Sequence, residues 1–130
     1  MFTQGTATRE RTFTAEDVEQ WCEEHNDPNP IHTDADEAED SSFGQRVVPG
    51  MMLLDQLSGL LTSLGSEDEE IILAGVTAAR FRDPVLLGET VEFSVFEIEE
   101  GKNFTTMDFE CRVHERDSLV ANGALSIVVK

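Results

Sequence analysis

The sequence predicts an α+β fold in which an antiparallel β-sheet wraps around one long helix. Residues 47–65, VVPGMMLLDQLSGLLTSLG, are the most apolar stretch of the chain and have the spacing of a helix. Four strand-like runs rich in Val, Ile, Phe and Thr follow it. Within one of them, residues 90–97 alternate between polar and apolar, which is typical of a sheet with one buried and one wet face. The buried face requires a cover, and the long helix can supply it.

The N-terminal third of the chain predicts a weak first strand over residues 5–13 and then a helix that begins at Thr14. The Thr14 side chain can cap this helix, with Asp17 at the third helical position of a capping-box-like pattern. Val18, Trp21, Cys22 and His25 share one face of it. The two prolines of residues 26–30, NDPNP, then predict a stiff, non-repetitive loop, followed by a short acidic helix over residues 34–41.

The central helix is predicted to begin at Pro49 and Gly50 and to stop at Gly65. Leucines and methionines, Met51 among them, cover almost its whole circumference, so we expect the helix to be enclosed on nearly all sides. A narrow stripe breaks the apolar pattern, formed by Asp55, Ser58, Gly59 and Thr62. This stripe either faces a pocket or lets a strand pack closely against the helix.

The C-terminal half is predicted to form four strands, over residues 71–81, 88–99, 104–115 and 119–129. Hairpin turns are expected at residues 101–103 and 115–118, and a longer connection at 83–88. At 130 residues, we expect a single domain over 1–130. The N-terminus has no apolar signal core, and no run is apolar and long enough to span a membrane.

The charge is strongly negative, with 27 acidic against 9 basic residues and a net charge of −18. This balance argues against nucleic acid as a partner. Lys102 and Lys130 are the only lysines, and the acids lie in segments that also have apolar periodicity. We expect the solvated acidic shell of a protein adapted to molar salt; the alternative is an ordinary acidic protein. Cys22 and Cys111 suggest neither a disulfide framework nor a zinc site, which fits a reducing cytoplasm.

Asp27 and His32 are the candidate catalytic residues in this sequence. A carboxylate and an imidazole on one rigid loop can share a water and move its protons. The alternative is structural, since aspartate before proline commonly bonds the backbone of a turn and a lone histidine is often simply packed.

The segment DPNPIH, residues 27–32, with Ala38 six positions after His32, closely resembles the signature D-x-N-P-[IL]-H-x5-[AS]. That signature belongs to the MaoC-like (R)-specific enoyl-CoA hydratases. The resemblance continues in VPGM at 48–51, SGLL at 58–61, and FRDPV with GET at 81–85 and 88–90. These segments lie in the same order as in the family and cover most of the chain. The resemblance implies the hot-dog fold, a long helix wrapped by an antiparallel sheet.

The resemblance implies that Asp27 and His32 together activate one water, which adds to a trans-2-enoyl-CoA to give the (3R)-hydroxyacyl-CoA. It implies no metal and no organic cofactor. The backbone N–H of Gly50, at a helix N-terminus, would donate to the thioester oxygen. Ser58 and Asn29 would assist in binding the substrate.

Two positions depart from the family pattern. Asn26 stands where glycine usually precedes the aspartate, and asparagine tolerates the left-handed conformation better than other non-glycine residues. Pro49 replaces a histidine, which leaves the proposed backbone donor in place.

Arg80 and Arg82 would either meet the phosphates of coenzyme A or form structural ion pairs with Asp83 or Glu89; we favour the ion pairs.

Two other functions remain open on the sequence. A hot-dog acyl-CoA thioesterase would use Asp55 of the central helix to direct water at the thioester carbonyl. A non-catalytic acyl-CoA-binding subunit would bind without turnover. In each case we expect a homodimer, because an isolated sheet leaves an open edge that invites pairing.

Overall fold

The β-structure of the described residues is a five-stranded antiparallel sheet. The computed structural model describes residues 5–130. The strands are β1 (Thr6–Thr12), β2 (Ile71–Phe81), β3 (Thr90–Glu100), β4 (Thr105–Val113) and β5 (Ser118–Val129). Their order in space is β1-β3-β4-β5-β2, and all neighbours are antiparallel. Strands β1 and β2 are therefore the two edges.

Within residues 5–130, four α-helices accompany the sheet. They are α1 (Ala15–Glu24), α2 (Pro30–Thr33), α3 (Ala35–Glu39) and α4 (Gly50–Thr62). Helix α4 packs on one face of the sheet, where its buried leucines join the core residues of β3 and β4. This arrangement is the hot-dog fold and confirms the predicted α+β class. None of the described helices has the length and apolar character needed to cross a membrane.

The alternation predicted for β3 is present in the structure. Val91, Phe93 and Val95 are fully buried, whereas the residues between them are partly exposed. Strand β4 alternates in the same way, with Met107 and Phe109 buried beneath α4. Because burying one such side chain contributes about 1.5–3 kcal/mol, these inward rows hold the sheet against the helix.

Helix α1 begins as the sequence predicts. The Thr14 hydroxyl accepts a hydrogen bond from the Asp17 N–H at 3.1 Å, and the Asp17 carboxylate accepts one from the Thr14 N–H at 3.2 Å. This capping box satisfies two N–H groups that a helix start leaves free. Val18 and Cys22 are buried on the predicted face, whereas His25 is exposed and stacks on Trp21.

Helix α4 differs from the prediction in its end and in its exposure. It begins at Gly50 as expected but ends at Thr62, with Ser63 as its C-cap, so Gly65 is not the stop. The expected enclosure on nearly all sides is wrong for the isolated chain, because Met51 is 61% exposed. The polar stripe is exposed as well, so the helix has one outward face.

One helix was not predicted. The short helix α2 follows directly on the predicted loop of residues 26–30 and shares only Pro30 with it. The expected hairpin turn at 115–118 does join the antiparallel strands β4 and β5. It contains a 3₁₀ turn, His114–Arg116, followed by Asp117 in the left-handed conformation with φ 44°. Helix α3 is shorter than the acidic helix predicted for residues 34–41. Of its two alanines, Ala38 is buried and Ala35 is exposed.

Candidate active site

A tight turn between α1 and α2 carries Asp27 and leads into α2, which carries His32. Asn26 has φ 52°, the left-handed conformation expected where the family has glycine. The N–H of Asp27 donates to the Cys22 carbonyl at 2.9 Å, which ties the turn to the end of α1. The Asn29 side chain accepts from the Ile31 N–H at 3.2 Å and thereby caps α2. These bonds give the turn its defined shape.

Val47 fixes the orientation of the His32 ring. The Val47 N–H donates to the Ile31 carbonyl at 3.0 Å, and the Val47 carbonyl lies 2.7 Å from His32 Nδ1. A carbonyl oxygen can only accept, so Nδ1 carries the hydrogen in this bond. In the neutral ring the lone pair is then on Nε2, which can accept a proton. The His32 side chain is buried, with 8% of the residue exposed.

Arg46 holds the other side of α2. Its Nε donates to the His32 carbonyl at 2.8 Å, and its Nη2 donates to Glu19 of α1 at 3.1 Å. The Arg46 side chain is only 13% exposed, so the guanidinium forms part of the packed structure. Together, Arg46 and Val47 fix the backbone and the ring of His32. The sequence contained no signal for either role, because both depend on contacts 14 or 15 residues apart.

His32 and Gly50 line one cavity of about 470 Å³ between the α2 region, α4 and the end of β2. Apart from His32, Arg82 and Asp83, its lining is apolar. The remaining residues around it are Ile31, Phe43, Val47, Val48, Gly50, Met51, Leu53, Phe81, Pro84 and Val85. A mostly apolar cavity with a few polar groups is the usual form of a small-molecule site.

Gly50 is the first residue of α4, and the ring of Phe81 covers it. A Cβ at position 50 would lie 2.8 Å from two atoms of that ring, so any side chain there would displace it. The first N–H groups of a helix have no intrahelical acceptor. The Gly50 N–H therefore belongs to a helix terminus that favours negative charge. Phe81, which sequence reasoning noted only within a motif, is part of this site.

Asp27 lies in a different cavity. It lines a space of about 610 Å³ together with Cys22, Asn26 and other residues of α1 and the turn. Its Oδ1 accepts from the Asn29 N–H at 3.3 Å, and no direct hydrogen bond joins Asp27 to His32. Burial, and secondarily the Asp27 carboxylate, raises the pKa of the Cys22 thiol. The structure thus places His32 and Gly50 in the lining of one cavity and Asp27 in the lining of another.

Three other candidates lie outside the cavity lined by His32. Asn29 is exposed and its side chain caps α2. Ser58 and Asp55 are exposed on the outward face of α4 and line neither of the two cavities above. The stripe therefore does not face either cavity in the isolated chain.

Arg116 secures the cavity wall formed by the connection between β2 and β3. Its Nε and Nη2 donate to the two carboxylate oxygens of Glu89 at 2.8 and 3.1 Å, and it also bonds Asp83 and the Pro84 carbonyl. The expectation that Arg80 or Arg82 pairs with these acids is wrong, since Arg82 donates to Asn122 instead. The Ser118 hydroxyl and then Arg116 lower the pKa of Asp83.

The fold and this cavity define a hot-dog protein with a candidate base and a helix N-terminus in one apolar site. The profile described as MaoC like domain matches residues 3–118. The chain belongs to the MaoC-like domain family, as the motifs indicated.

Individual relatives agree with this assignment. The chain is 26% identical to the (R)-hydratase from A. caviae involved in PHA biosynthesis, with a TM-score of 0.84 and coverage of 98% of this chain and 96% of that one. Protein af1124 from Archaeoglobus fulgidus is 27% identical, with a TM-score of 0.87 and coverage of 96% and 76%. The 3-hydroxyacyl-(acyl-carrier-protein) dehydratase FabZ of Ehrlichia chaffeensis is 27% identical over 90 residues, 67% of this chain and 62% of that relative. The chain thus matches less than two thirds of that relative's length.

Proposed function

We propose that this protein is an enzyme that hydrates trans-2-enoyl-CoA thioesters to (3R)-hydroxyacyl-CoA thioesters and catalyses the reverse dehydration. The observation that carries the proposal is that His32, with Nε2 free to accept a proton, shares an apolar cavity with the N-terminus of α4. Hydration of an enoyl thioester requires a base for water and a hydrogen-bond donor for the thioester oxygen. Membership of the MaoC-like domain family and the likeness to an (R)-hydratase support the same reaction.

In the proposed reaction, Asp27 and His32, which line two different cavities in the isolated chain, hold one water between them. Its oxygen bonds to C3 of the substrate while the pair accepts its proton. The electrons of the C2–C3 double bond move towards the thioester, whose oxygen becomes enolate-like. The pair then donates a proton to C2 and returns to its starting state, so that the elements of one water are added without any oxidation or reduction.

The N-terminus of α4 stabilises the enolate in this scheme. The Gly50 N–H donates to the thioester oxygen, and the helix dipole adds about half a positive charge at that end. Such a donor lowers the barrier because it interacts more strongly with the enolate than with the neutral thioester. Asn29 and Ser58 are assigned supporting roles in substrate binding. Both side chains are exposed in the isolated chain, so these roles require the substrate or a second copy of the chain to contact them.

Turnover of a panel of trans-2-enoyl-CoA thioesters in molar potassium chloride tests the proposal, with the product resolved by chirality. We expect loss of the enoyl thioester and formation of the 3R alcohol with the thioester intact. Release of free coenzyme A without hydration would instead indicate the thioesterase. Binding without either reaction would indicate a non-catalytic acyl-CoA-binding subunit.

The thioesterase is the weaker alternative. It requires the carboxylate of Asp55 beside a bound thioester, yet Asp55 is exposed and lines neither cavity. His32, by contrast, is buried, oriented by Val47 and part of a cavity lining. These positions favour hydration.

We further propose that the protein is a homodimer joined through β2. This strand is an edge of the sheet, and it exposes the apolar side chains Ile72, Leu73, Val76 and Phe81. Exposed apolar edge strands tend to pair with another chain. The exposed Met51 of α4 extends the apolar surface beyond the strand. A second copy of the chain would cover the apolar side chains of β2 and Met51. It would also enclose the outward face of α4, in line with the enclosure that the sequence pattern predicts.

The proposed setting is a reducing, salt-rich cytoplasm and the metabolism of fatty acyl thioesters. Cys22 and Cys111 are both free and buried, and burial raises the pKa of Cys111 to about 12. Buried thiols with a raised pKa are poor nucleophiles. Free thiols of this kind are typical of proteins in a reducing compartment. The net charge of −18 is the basis for the high-salt part of the proposal.

A further inference from the structure

A second group of chemically active side chains lies on the outer face of the sheet, opposite α4. It consists of Glu10 on β1, Glu92 on β3 and His114 in the 3₁₀ turn after β4. Glu10 and Glu92 are direct partners in the register of the two strands. Since the flanking Val91 and Phe93 point into the core, Glu92 and its partner point outward. The group is therefore on the other side of the sheet from the cavity that His32 lines.

The distances within this group suit a metal ion better than they suit hydrogen bonds. His114 Nε2 lies 3.4 Å from Glu10 Oε1 and 3.5 Å from Glu92 Oε2. Charge-assisted N–H···O bonds are shorter, about 2.7–2.9 Å. A tetrahedral zinc ion with bonds of about 2.0–2.2 Å to nitrogen and oxygen would separate its ligand atoms by about 3.3–3.5 Å. All three ligand atoms lie within 4.8 Å of one another.

The backbone around His114 is anchored on its C-terminal side. The carboxylate of Glu115 accepts from the Thr90 N–H at 2.9 and 3.1 Å, and Arg116 bonds Glu89. These contacts hold the turn against the start of β3. The position of His114 over the two carboxylates thus follows from the fold and does not depend on a free loop. Such preorganisation reduces the entropy cost of binding a ligand.

The electrostatics also favour a cation. Two like charges directly opposite each other on neighbouring strands destabilise a sheet. On its other side, Glu92 lies opposite Arg112 of β4. The Nε of Arg112 forms an ion pair with the Glu110 carboxylate at 3.5 Å. A net charge of −18 further raises the local concentration of cations.

We propose that Glu10, Glu92 and His114 bind one divalent transition-metal ion of the zinc type, with water completing its coordination. The imidazole selects against magnesium and calcium, which prefer oxygen ligands alone. Bound metal joins β1, β3 and the turn after β4. Because β1 hydrogen-bonds to the sheet only along β3, the ion stabilises an edge that is otherwise held on one side. This role is independent of the proposed hydration.

Equilibrium dialysis of the full chain against zinc, in molar potassium chloride with excess magnesium at pH ~7.5, tests the site. We expect one equivalent of zinc per chain and a melting temperature that rises with zinc concentration. The variant His114→Gln should bind zinc at least ~10-fold more weakly and lose the zinc-dependent rise in melting temperature. The variant His25→Gln, which removes an exposed histidine at the C-cap of α1, is the matched control and should behave as the wild type.

A second variant protects the test against misfolding. Glu92→Gln removes one of two opposed charges, so without zinc its melting temperature should equal or exceed that of the wild type. It should nevertheless lose most of the zinc affinity. Equal zinc affinity in the wild type and in both His114→Gln and Glu92→Gln would overturn the proposal. So would equal losses in His114→Gln and His25→Gln, since this pattern indicates non-specific binding to histidines.

Discussion

At the scale of single residues, Arg116 shows how a distant side chain shapes the candidate site. Its guanidinium bonds Asp83, Glu89 and the Pro84 carbonyl, and thereby closes the connection that forms one cavity wall. No local sequence pattern indicates this contact, because it joins groups 27 to 33 residues apart. Arg82, which directly precedes Asp83 in the chain, was the more visible candidate, but it donates to Asn122.

The variant Arg116→Gln should therefore loosen the wall and raise KM more than it lowers kcat. It should also change the dependence of stability on pH. A carboxylate whose folded pKa is lowered, such as Asp83, contributes stability above its unfolded pKa of ~3.9 and loses it as the pH falls through the folded value. The stability difference between wild type and variant should thus be largest near neutral pH and shrink towards pH ~3. Urea unfolding at several pH values measures it.

Arg112→Gln is the matched control for this prediction, because it removes the same charge from a partly exposed arginine whose ion pair is one 3.5 Å contact to Glu110. Surface pairs of that kind contribute ~0–1 kcal/mol. Equal losses in the two variants, or a difference that does not depend on pH, would contradict the role assigned to Arg116.

Gly50 illustrates a residue whose identity is fixed by close approach. In Gly50→Ala, the new Cβ would conflict with the Phe81 ring at 2.8 Å, while the backbone N–H would remain. We expect a stability loss of ~1 kcal/mol, at the low end for overpacking because the half-exposed ring can rotate away. Removing the ring in Gly50→Ala/Phe81→Ala should abolish the conflict, so the two changes should not be additive. Urea unfolding of the four proteins measures the coupling.

Gly59→Ala, on the same helix, serves as the control. Its Cβ would meet only the end of the flexible Arg9 side chain, at 3.2 Å. Alanine should stabilise the helix there by up to ~1 kcal/mol. Additive effects of the Gly50 and Phe81 substitutions would count against the proposed steric conflict.

At the scale of elements, sequence patterns predicted best where one local rule decides the structure. The bounds of β2, the capping box of α1 and the left-handed Asn26 all follow from periodicity or local chemistry. The hairpin connection after β4 was predicted, but its 3₁₀ conformation was not, because Glu115 reaches across to the Thr90 N–H, a contact that no local pattern reveals. Helix α2 was missed because only four residues form it.

The exposed face of β2 leads to a prediction about assembly. Placing a charge there, in Val76→Lys, should split the proposed dimer, because an unpaired charge would be buried between the two strands. Light scattering in molar salt should report a dimer for the wild type and a monomer for the variant. Ile98→Lys, which alters an equally exposed apolar residue on β3, should leave the dimer intact. A wild-type monomer with full activity, or a dimer that survives Val76→Lys, would contradict an interface along β2.

At the scale of the whole molecule, charge is the dominant property. A net charge of −18 on a chain with a radius of gyration of ~14 Å leaves strong repulsion at 0.1 M salt, where the screening length is ~10 Å. At 1 M it falls to ~3 Å, so repulsion within the molecule largely disappears. We therefore expect the melting temperature and the activity to rise steeply with potassium chloride. A melting temperature that stays flat from low to molar salt would contradict adaptation to high salt.

The global fold was predictable from the sequence, whereas the exposure of α4 was not. Period and composition indicate that a helix is apolar all round, but they do not indicate whether the same chain or a second copy covers each face. The polar stripe at Ser58 and Asp55 is such a face. Likewise, the motif predicted that Asp27 and His32 lie on one loop, but their positions in different cavities follow from packing around Cys22 and Val47.

The central claim is that Asp27 and His32 activate the same water, and a double-mutant cycle on kcat tests it most directly. Asp27→Asn and His32→Ala should each retain the fold and lower kcat for hydration by ~10²–10⁴-fold. The double variant should be far less impaired than the product of the two losses, because the second change removes a partner that no longer functions. Asp55→Asn, the control, should hydrate nearly as well as the wild type. Contradiction would come from a wild type that only frees coenzyme A and loses this activity through Asp55→Asn but not through Asp27→Asn.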